Sequence, residues 1–322
     1  MTLPRIPIAH LPTPIEPLPR LTVVLGGPEI LCKRDDQTGL GFGGNKTRKL
    51  EFLLADAQAQ GAKTLITTGA IQSNHCRQTA ALAARCGFAC ILVLSGAPPE
   101  VAGGNLFLDE LFGAEVVWCR REERNAVLTK VYQDAHAAGR SPYLIPYGAS
   151  NEIGILGYYE AMQELQSQIT GIDWIVVASS SGGTQAGMLL GAKRSGFSGR
   201  IMGISIDCKE EELKSIVREL CRTGAKNLLG DLQVDEGDIL VSDAYLGGGY
   251  AVMGQPEIEA IRLFASLEGL LLDPVYTGRA AAGMIDLVQT GVFKPGERVL
   301  FWHTGGTPVL FADPYLRMLQ QP

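Results

Sequence analysis

The sequence predicts an α/β protein built from wound, mostly parallel sheets flanked by helices. Two observations carry that expectation. Short apolar runs alternate with helical patterns along the whole 322-residue chain, as βαβ units require. The inner runs are apolar at consecutive positions, as in strands covered on both faces. The predicted strands are Ile30–Lys33, Thr64–Thr68, Ala89–Leu94, Glu115–Trp118, Tyr143–Ile145, Trp174–Ala178, Ile201–Ile206 and Val299–Trp302. Between them lie stretches such as Arg48–Gln60, where Leu50, Leu53, Leu54 and Ala57 recur at helical spacing. Residues 4–19, rich in proline, read as an extended arm lying on the body. The alternation from about 48 to 154 is expected to form a small domain. Residues 1–47 and 155–322 are expected to form a larger one, with a ligand in the cleft between them.

Composition narrows the function. Hydrophobic residues make up 46% and charged residues 19%, enough for a sizeable core, and the net charge is −6. An acidic chain without clustered Lys/Arg lacks the basis for binding a phosphate backbone, so no nucleic-acid partner is expected. No apolar stretch reaches membrane-spanning length. The first twenty residues hold six prolines and no hydrophobic segment, which is not a secretory signal. The seven cysteines are odd in number and lack CxxC spacing, so reduced thiols and no metal are expected. Together these features suit a cytoplasmic enzyme acting on a small molecule.

Four segments can carry chemistry. In Gly39-Leu-Gly-Phe-Gly-Gly-Asn-Lys46-Thr a nucleotide P-loop fails, because Asn45 separates the last glycine from Lys46. Gly43 and Gly44 instead suit backbone passing close to a flat ligand, with Asn45 capping a helix that starts near Lys46. The positive end of that helix disfavours an ammonium at Lys46, which suits an amine that attacks a carbonyl. The bland alternative is a solvated helix-start lysine. The second segment runs from the apolar strand at Trp174 into Ser179–Gly183 and a helix near Thr184. Backbone N–H groups of Gly182 and Gly183 with hydroxyls of Ser181 and Thr184 suit a phosphate, whereas the dinucleotide spacing is absent.

The third segment, Thr68-Gly-Ala-Ile-Gln-Ser-Asn-His75, also leads from strand to helix. Gln72, Ser73 and Asn74 offer donors for a carboxylate, although capping alone would explain Ser73 or Asn74. The fourth comprises Gly247-Gly-Gly-Tyr250, Asp273-Pro-Val-Tyr276-Thr-Gly278 and His303-Thr304-Gly-Gly. Tyr250 and Tyr276 suit acid–base work or core packing, and Thr304 can partner a ring nitrogen. A poised lysine, a phosphate cup, a carboxylate cup and a ring partner together describe a pyridoxal 5'-phosphate site.

These segments, with Arg34-Asp-Asp and the run GGNKTRKLE, resemble the 1-aminocyclopropane-1-carboxylate deaminase / D-cysteine desulfhydrase family over nearly the whole chain. The resemblance implies a two-domain, tryptophan-synthase-β-like fold (fold type II of the pyridoxal phosphate enzymes), a β-eliminating lyase activity and a homodimer. It implies Lys46 as the lysine that carries the cofactor, with Asn45 beside it. Asn74 would lie near the cofactor's phenol oxygen, and Ser181, Gly182, Gly183 and Thr184 around its phosphate. Gln72, Ser73 and Asn74 would line the substrate carboxylate pocket, flanked by Tyr250 and Tyr276. Deaminases of the family carry Glu after the Tyr of the VYxG motif and Leu in HxGG. This chain has Thr277 and Thr304 there, the pattern of the desulfhydrases, so β-elimination from D-cysteine is expected. Cleavage of L-cysteate, deamination of the cyclopropane acid, and cofactor binding without catalysis are the alternatives. Arg279, where relatives often have Lys, carries no predicted role.

Overall fold

A computed structural model describes residues 4–230 and 232–321. The strands are β1 (Ile15–Pro17), β2 (Glu29–Lys33), β3 (Thr64–Ala70), β4 (Ala89–Ser95) and β5 (Glu115–Cys119), followed by β6 (Pro142–Leu144), β7 (Trp174–Ser179), β8 (Arg200–Ser205), β9 (Leu240–Ser242) and β10 (Arg298–Trp302). The helices in the first half are α1 (Pro19–Leu25), α2 (Asn45–Ala59), α3 (Asn74–Cys86), α4 (Gly104–Leu111) and α5 (Arg124–Ala137). In the second half they are α6 (Leu156–Gln168), α7 (Gly183–Ser195), α8 (Glu210–Gly224), α9 (Gln255–Glu268), α10 (Thr277–Gln289) and α11 (Tyr315–Gln320).

Two sheets result. One has six strands in the order β1-β2-β10-β7-β8-β9 and the other four in the order β5-β4-β3-β6. All pairings are parallel except β1 with β2, which is antiparallel. The eight apolar runs are strands to within a residue or two. The proline-rich arm is extended, and its Ile15–Pro17 adds an edge strand that apolar periodicity does not reveal. Proline is tolerated at an edge because one side of the strand needs no ladder partner.

Strand parity explains the core of the larger sheet. In β10, Val299 and Phe301 join one buried cluster with Phe264, while Leu300 and Trp302 join the cluster on the opposite face with Tyr158. β7 divides likewise, Trp174 and Val176 to one side and Ile175 and Val177 to the other. Alternate side chains of a strand point to opposite faces, so continuous apolar runs serve two cores at once. The four-stranded sheet packs a separate cluster containing Leu65, Leu92, Leu53 of α2 and Leu82 of α3.

One buried polar network locks α2 in place. Asp35 accepts from Nε and Nη2 of Arg48 at 2.9 Å, from Tyr158 Oη at 2.5 Å and from Trp302 Nε1 at 2.8 Å. Burial works against the Asp35 charge, yet Arg48 holds its carboxyl below the usual range. Glu164 of α6 bridges Arg48 and Lys33. Removing one member of such a set strands a buried charge, which costs roughly 3–5 kcal/mol. α2 is therefore tied to β2, α6 and β10 two residues beyond Lys46.

Candidate active site

Lys46 lines a cleft of about 590 Å³ together with Asn45, Ser73, Asn74, His75, Tyr147, Gly148, residues 178–182, Thr184, Tyr276 and Thr304. The cleft collects the end of β7, the starts of α2, α3 and α7, and the loops after β6 and β10. No carboxylate is among these lining residues. Lys46 is the second residue of α2, and burial lowers its pKa to about 8. Burial is the cause: an ammonium without a counter-ion loses hydration and sheds its proton more readily.

The glycines and Asn45 act differently from the expectation. Gly44, not Asn45, stands at the cap position of α2, and Asn45 is its first residue. The Asn45 amide reaches across the cleft and donates to Thr184 Oγ1 at 3.1 Å. Gly43 and Gly44 have φ of +65° and +123°; a Cβ would lie 2.0 Å from the Asp36 carbonyl oxygen at the first and 2.7 Å from Gln78 Nε2 at the second. Close protein packing excludes side chains there.

Four helix starts meet near the cleft, and three receive a side-chain bond from within the chain. At α2, Asn45 N donates to the Thr304 carbonyl and Thr47 N to Gln78 Oε1. At α3, Ser73 Oγ accepts from Cys76 N at 3.1 Å. Before α10, the Asp273 carboxylate accepts from the backbone of Val275, Tyr276 and Thr277. α7 differs. Its cap residue Gly182 has φ +73° and no side chain to offer, and among the described residues the backbone N–H groups of Thr184 and Gln185 find no acceptor. Unsatisfied N–H groups at a helix start call for an anion.

Neighbouring hydroxyls are oriented to serve the same anion. Thr184 Oγ1 accepts from Asn45, which leaves its own proton free to donate. Lys49, one turn after Lys46, donates to the Gly148 carbonyl at 2.7 Å and to Ser150 Oγ at 2.9 Å. Ser150 then has two outlets, Ser181 Oγ at 2.8 Å and the Gly148 carbonyl at 3.3 Å. Donation to the nearer leaves the Ser181 proton to the cleft. Burial, then repulsion from Lys46, pushes the Lys49 pKa well down. Lys49 carries no expectation from the sequence, although its i,i+3 spacing from Lys46 places both on one helix face.

Gln72 does not line the cleft. Its side chain donates to the Gly103 carbonyl and accepts from Asn105 N, tying α3 to the start of α4. Asn74 does line it: Oδ1 accepts from Asn105 at 2.8 Å, so the donor end of the amide remains available. His75, unassigned from sequence, shares the wall and bonds Thr67 Oγ1 at 2.8 Å. Burial, then the charges of Lys46 and Lys49, lowers its pKa well below the ordinary value, so the ring is neutral.

Tyr276 faces the cleft and Tyr250 stands behind it, their hydroxyls 2.8 Å apart. Burial raises both phenol pKa values, so the pair keeps its protons and donates rather than acting as base. Thr304 lines the cleft, and its hydroxyl has no protein partner among the described residues. Thr277 is fully buried outside the cleft wall, its hydroxyl exchanging bonds with Asp273. Of the two threonines that set the sequence pattern, only Thr304 therefore reaches the site.

A cofactor must supply an anion for α7, a carbonyl for Lys46 and a flat body between them. The free N–H groups at α7, the unpartnered Thr304 hydroxyl and the buried Ser179 Oγ without a partner fit pyridoxal phosphate. A family model described as pyridoxal-phosphate dependent enzyme matches residues 6–305. The chain belongs to that family. Within it, the chain is 43% identical to a D-cysteine desulfhydrase of Klebsiella pneumoniae (strain 342), covering 97% of each. The crystal structure of an ACC deaminase homologue superposes with a TM-score of 0.91 at 37% identity, covering 99% of this chain and 96% of that one. A fungal L-serine ammonia-lyase from Rhizomucor miehei, 18% identical with a TM-score of 0.70 over 97% of this chain and 98% of that one, shares the fold. All seven cysteines are free thiols, and among the described residues no helix is long and apolar enough to cross a membrane.

Proposed function

We propose that this chain is a D-cysteine desulfhydrase, converting D-cysteine and water to pyruvate, ammonia and hydrogen sulfide. The carrying observation is the absence of any carboxylate from the cleft wall, with Thr304 the only group offered at the loop after β10. A hydroxyl cannot hold a ring nitrogen protonated as a carboxylate does, which leaves a modest electron sink. That sink suffices where a good leaving group departs from Cβ and falls short where a strained carbocycle must open. The 43% identity to a D-cysteine desulfhydrase supports the same substrate.

Bound pyridoxal phosphate supplies an electron-withdrawing ring that stabilises negative charge at the substrate Cα. Thr184, Ser181 and the N–H groups at α7 would hold its phosphate, Asn74 its phenol oxygen and Thr304 its ring nitrogen. Ser73 and Asn74 would orient the substrate carboxylate at the start of α3. Lys46 Nζ, whose pKa burial lowers toward neutrality, would take the proton from Cα, and a matched pKa favours such transfer. Tyr276 keeps its proton and would donate a hydrogen bond to the departing sulfur, with Tyr250 fixing that hydroxyl.

The same reading takes residues 48–154 as the small domain and the remainder as the large one. It places the protein in the cytoplasm as a homodimer, to be checked by fractionation and light scattering. A substrate panel decides the activity. Keto-acid release should be fastest from D-cysteine as pyruvate, with pyruvate from L-cysteine and L-cysteate and ketobutyrate from the cyclopropane acid slower by at least roughly tenfold. Faster release of sulfite from L-cysteate, or of ketobutyrate from the cyclopropane acid, would overturn the assignment. Visible cofactor absorbance without product from any amino acid would mark a binding protein.

A further inference from the structure

The loop at 247–254 carries Tyr250, yet nothing in its glycine-rich sequence fixes a conformation. The structure supplies the constraint from α10. Arg279 lies three residues after Tyr276, its side chain 1% exposed. Its Nε donates to Glu257 Oε1 at 2.8 Å, Nη1 to the carbonyls of Ile206 at 2.9 Å and Gly249 at 3.1 Å, and Nη2 to the Val252 carbonyl at 2.7 Å. The other oxygen of Glu257 accepts from Gly254 N at 2.9 Å, so the ion pair grips both ends of the turn. Between them Ala251 has φ +62°, a left-handed conformation that costs a non-glycine residue of order 1 kcal/mol and persists only where surroundings over-determine it. Tyr315 Oη holds the Ala251 carbonyl at 2.7 Å. Carbonyls on both sides of Tyr250 are therefore bonded by side chains from other elements.

The geometry points to Arg279 as a positioning residue that holds the Tyr250 hydroxyl against that of Tyr276, so that one guanidinium sets the spacing of these two phenols. It is rooted in α10, which Tyr276 immediately precedes, and two of its acceptors, the Gly249 and Val252 carbonyls, lie in the loop that carries Tyr250. A rigid fork with five donors meets four acceptors in fixed directions. Lysine offers at most three donors on a flexible stem, so Arg279→Lys must leave one acceptor unmet and loosen the loop. The inference rests on the proposed role of the tyrosine pair only for its effect on turnover, not for its effect on position.

The test uses the holoenzyme with 3-fluorotyrosine at position 250. Arg279→Lys should move or broaden the fluorine resonance while the visible cofactor absorbance persists. It should lower kcat about tenfold with KM changed less than about twofold, since the loss falls on a group acting after binding. In a Tyr250→Phe background the same change should cost less than about twofold, because residues acting through one another are not additive. Glu257→Gln, which removes the charge orienting the guanidinium, should shift the fluorine signal in the same direction, and it decides the matter if Arg279→Lys does not fold. An unmoved fluorine resonance in the variants that fold overturns the inference, as does an equal kcat loss in both backgrounds. A shifted resonance with a Tyr250→Phe enzyme as active as wild type would uphold the positioning and overturn the catalytic reading of the tyrosine pair.

Discussion

Helices α3 and α7 begin alike, each after an apolar strand and a small-residue turn, and each opening on the same cleft. They differ in what caps them. The first turn of α3 has Cys76 N donating to Ser73 Oγ, whereas α7 starts at a glycine with no side-chain cap; each leaves two early backbone N–H groups, those of Asn74 and His75 in α3 and of Thr184 and Gln185 in α7, without an acceptor among the described residues. Either start can therefore face an anion, but α3 spends a serine hydroxyl on itself while Ser181 and Thr184 keep theirs for the cleft. The difference teaches that what distinguishes the two lies in the hydroxyls the folded chain leaves unspent, not in the strand–glycine–helix pattern or the open N–H groups that both share.

The comparison breaks first at Lys46, which stands between the two starts. Lys46→Ala should abolish the visible absorbance of the bound cofactor and lower turnover by more than about a thousandfold; unchanged absorbance would remove Lys46 from its role. Next comes Thr184→Val, which keeps the shape of the α7 start but removes a hydroxyl aimed at the anion. A hydrogen bond to a charged group is worth about 1.5–3 kcal/mol, so cofactor affinity, read by titration, should fall roughly ten- to a hundredfold. An affinity within twofold of wild type would show that the phosphate lies elsewhere.

The cofactor-free protein offers a third test. Lys46 has a folded pKa of about 8 against an ordinary 10.5. Between those values the unfolded chain holds the proton and the folded chain does not, so stability rises with pH through that window. Below it both states are protonated and the contribution is a constant penalty. Urea unfolding should show wild type gaining on Lys46→Met by at most about 1.4 kcal/mol per pH unit between pH 8 and 10.5; parallel curves would place the amine in water. The smallest effect is Ser73→Ala. Loss of the cap alone costs about 1 kcal/mol and lowers Tm by about 2 °C in a chain this long. A rise in KM beyond that shift would add the substrate carboxylate to the duties of Ser73.

Much of this was legible in the sequence because it depends on local composition. Strands covered on both faces must be apolar throughout, so all eight predicted runs stand close to where periodicity put them. Lys46, Asn74, Thr184, Tyr276 and Thr304 line one cleft, as expected of segments that end strands or begin helices. Two residues differ from expectation where a side chain could choose among distant partners. Gln72 is drawn to Asn105 and Gly103 and Asn45 to Thr184. Each has the residue type its expected role needs, but a nearer or better-aligned acceptor takes it.

By itself the sequence determined the strand–helix alternation, the absence of clustered basic charge and the residue types available for a phosphate, a ring and an amine. The tertiary structure alone decided which hydroxyls remain unspent, why Lys46 sheds its proton, and that Lys49 and Arg279 serve the site from behind it. The physical reason is range. Propensity and periodicity act over a few residues, whereas hydrogen-bond satisfaction and desolvation depend on which atoms meet across a hundred or more.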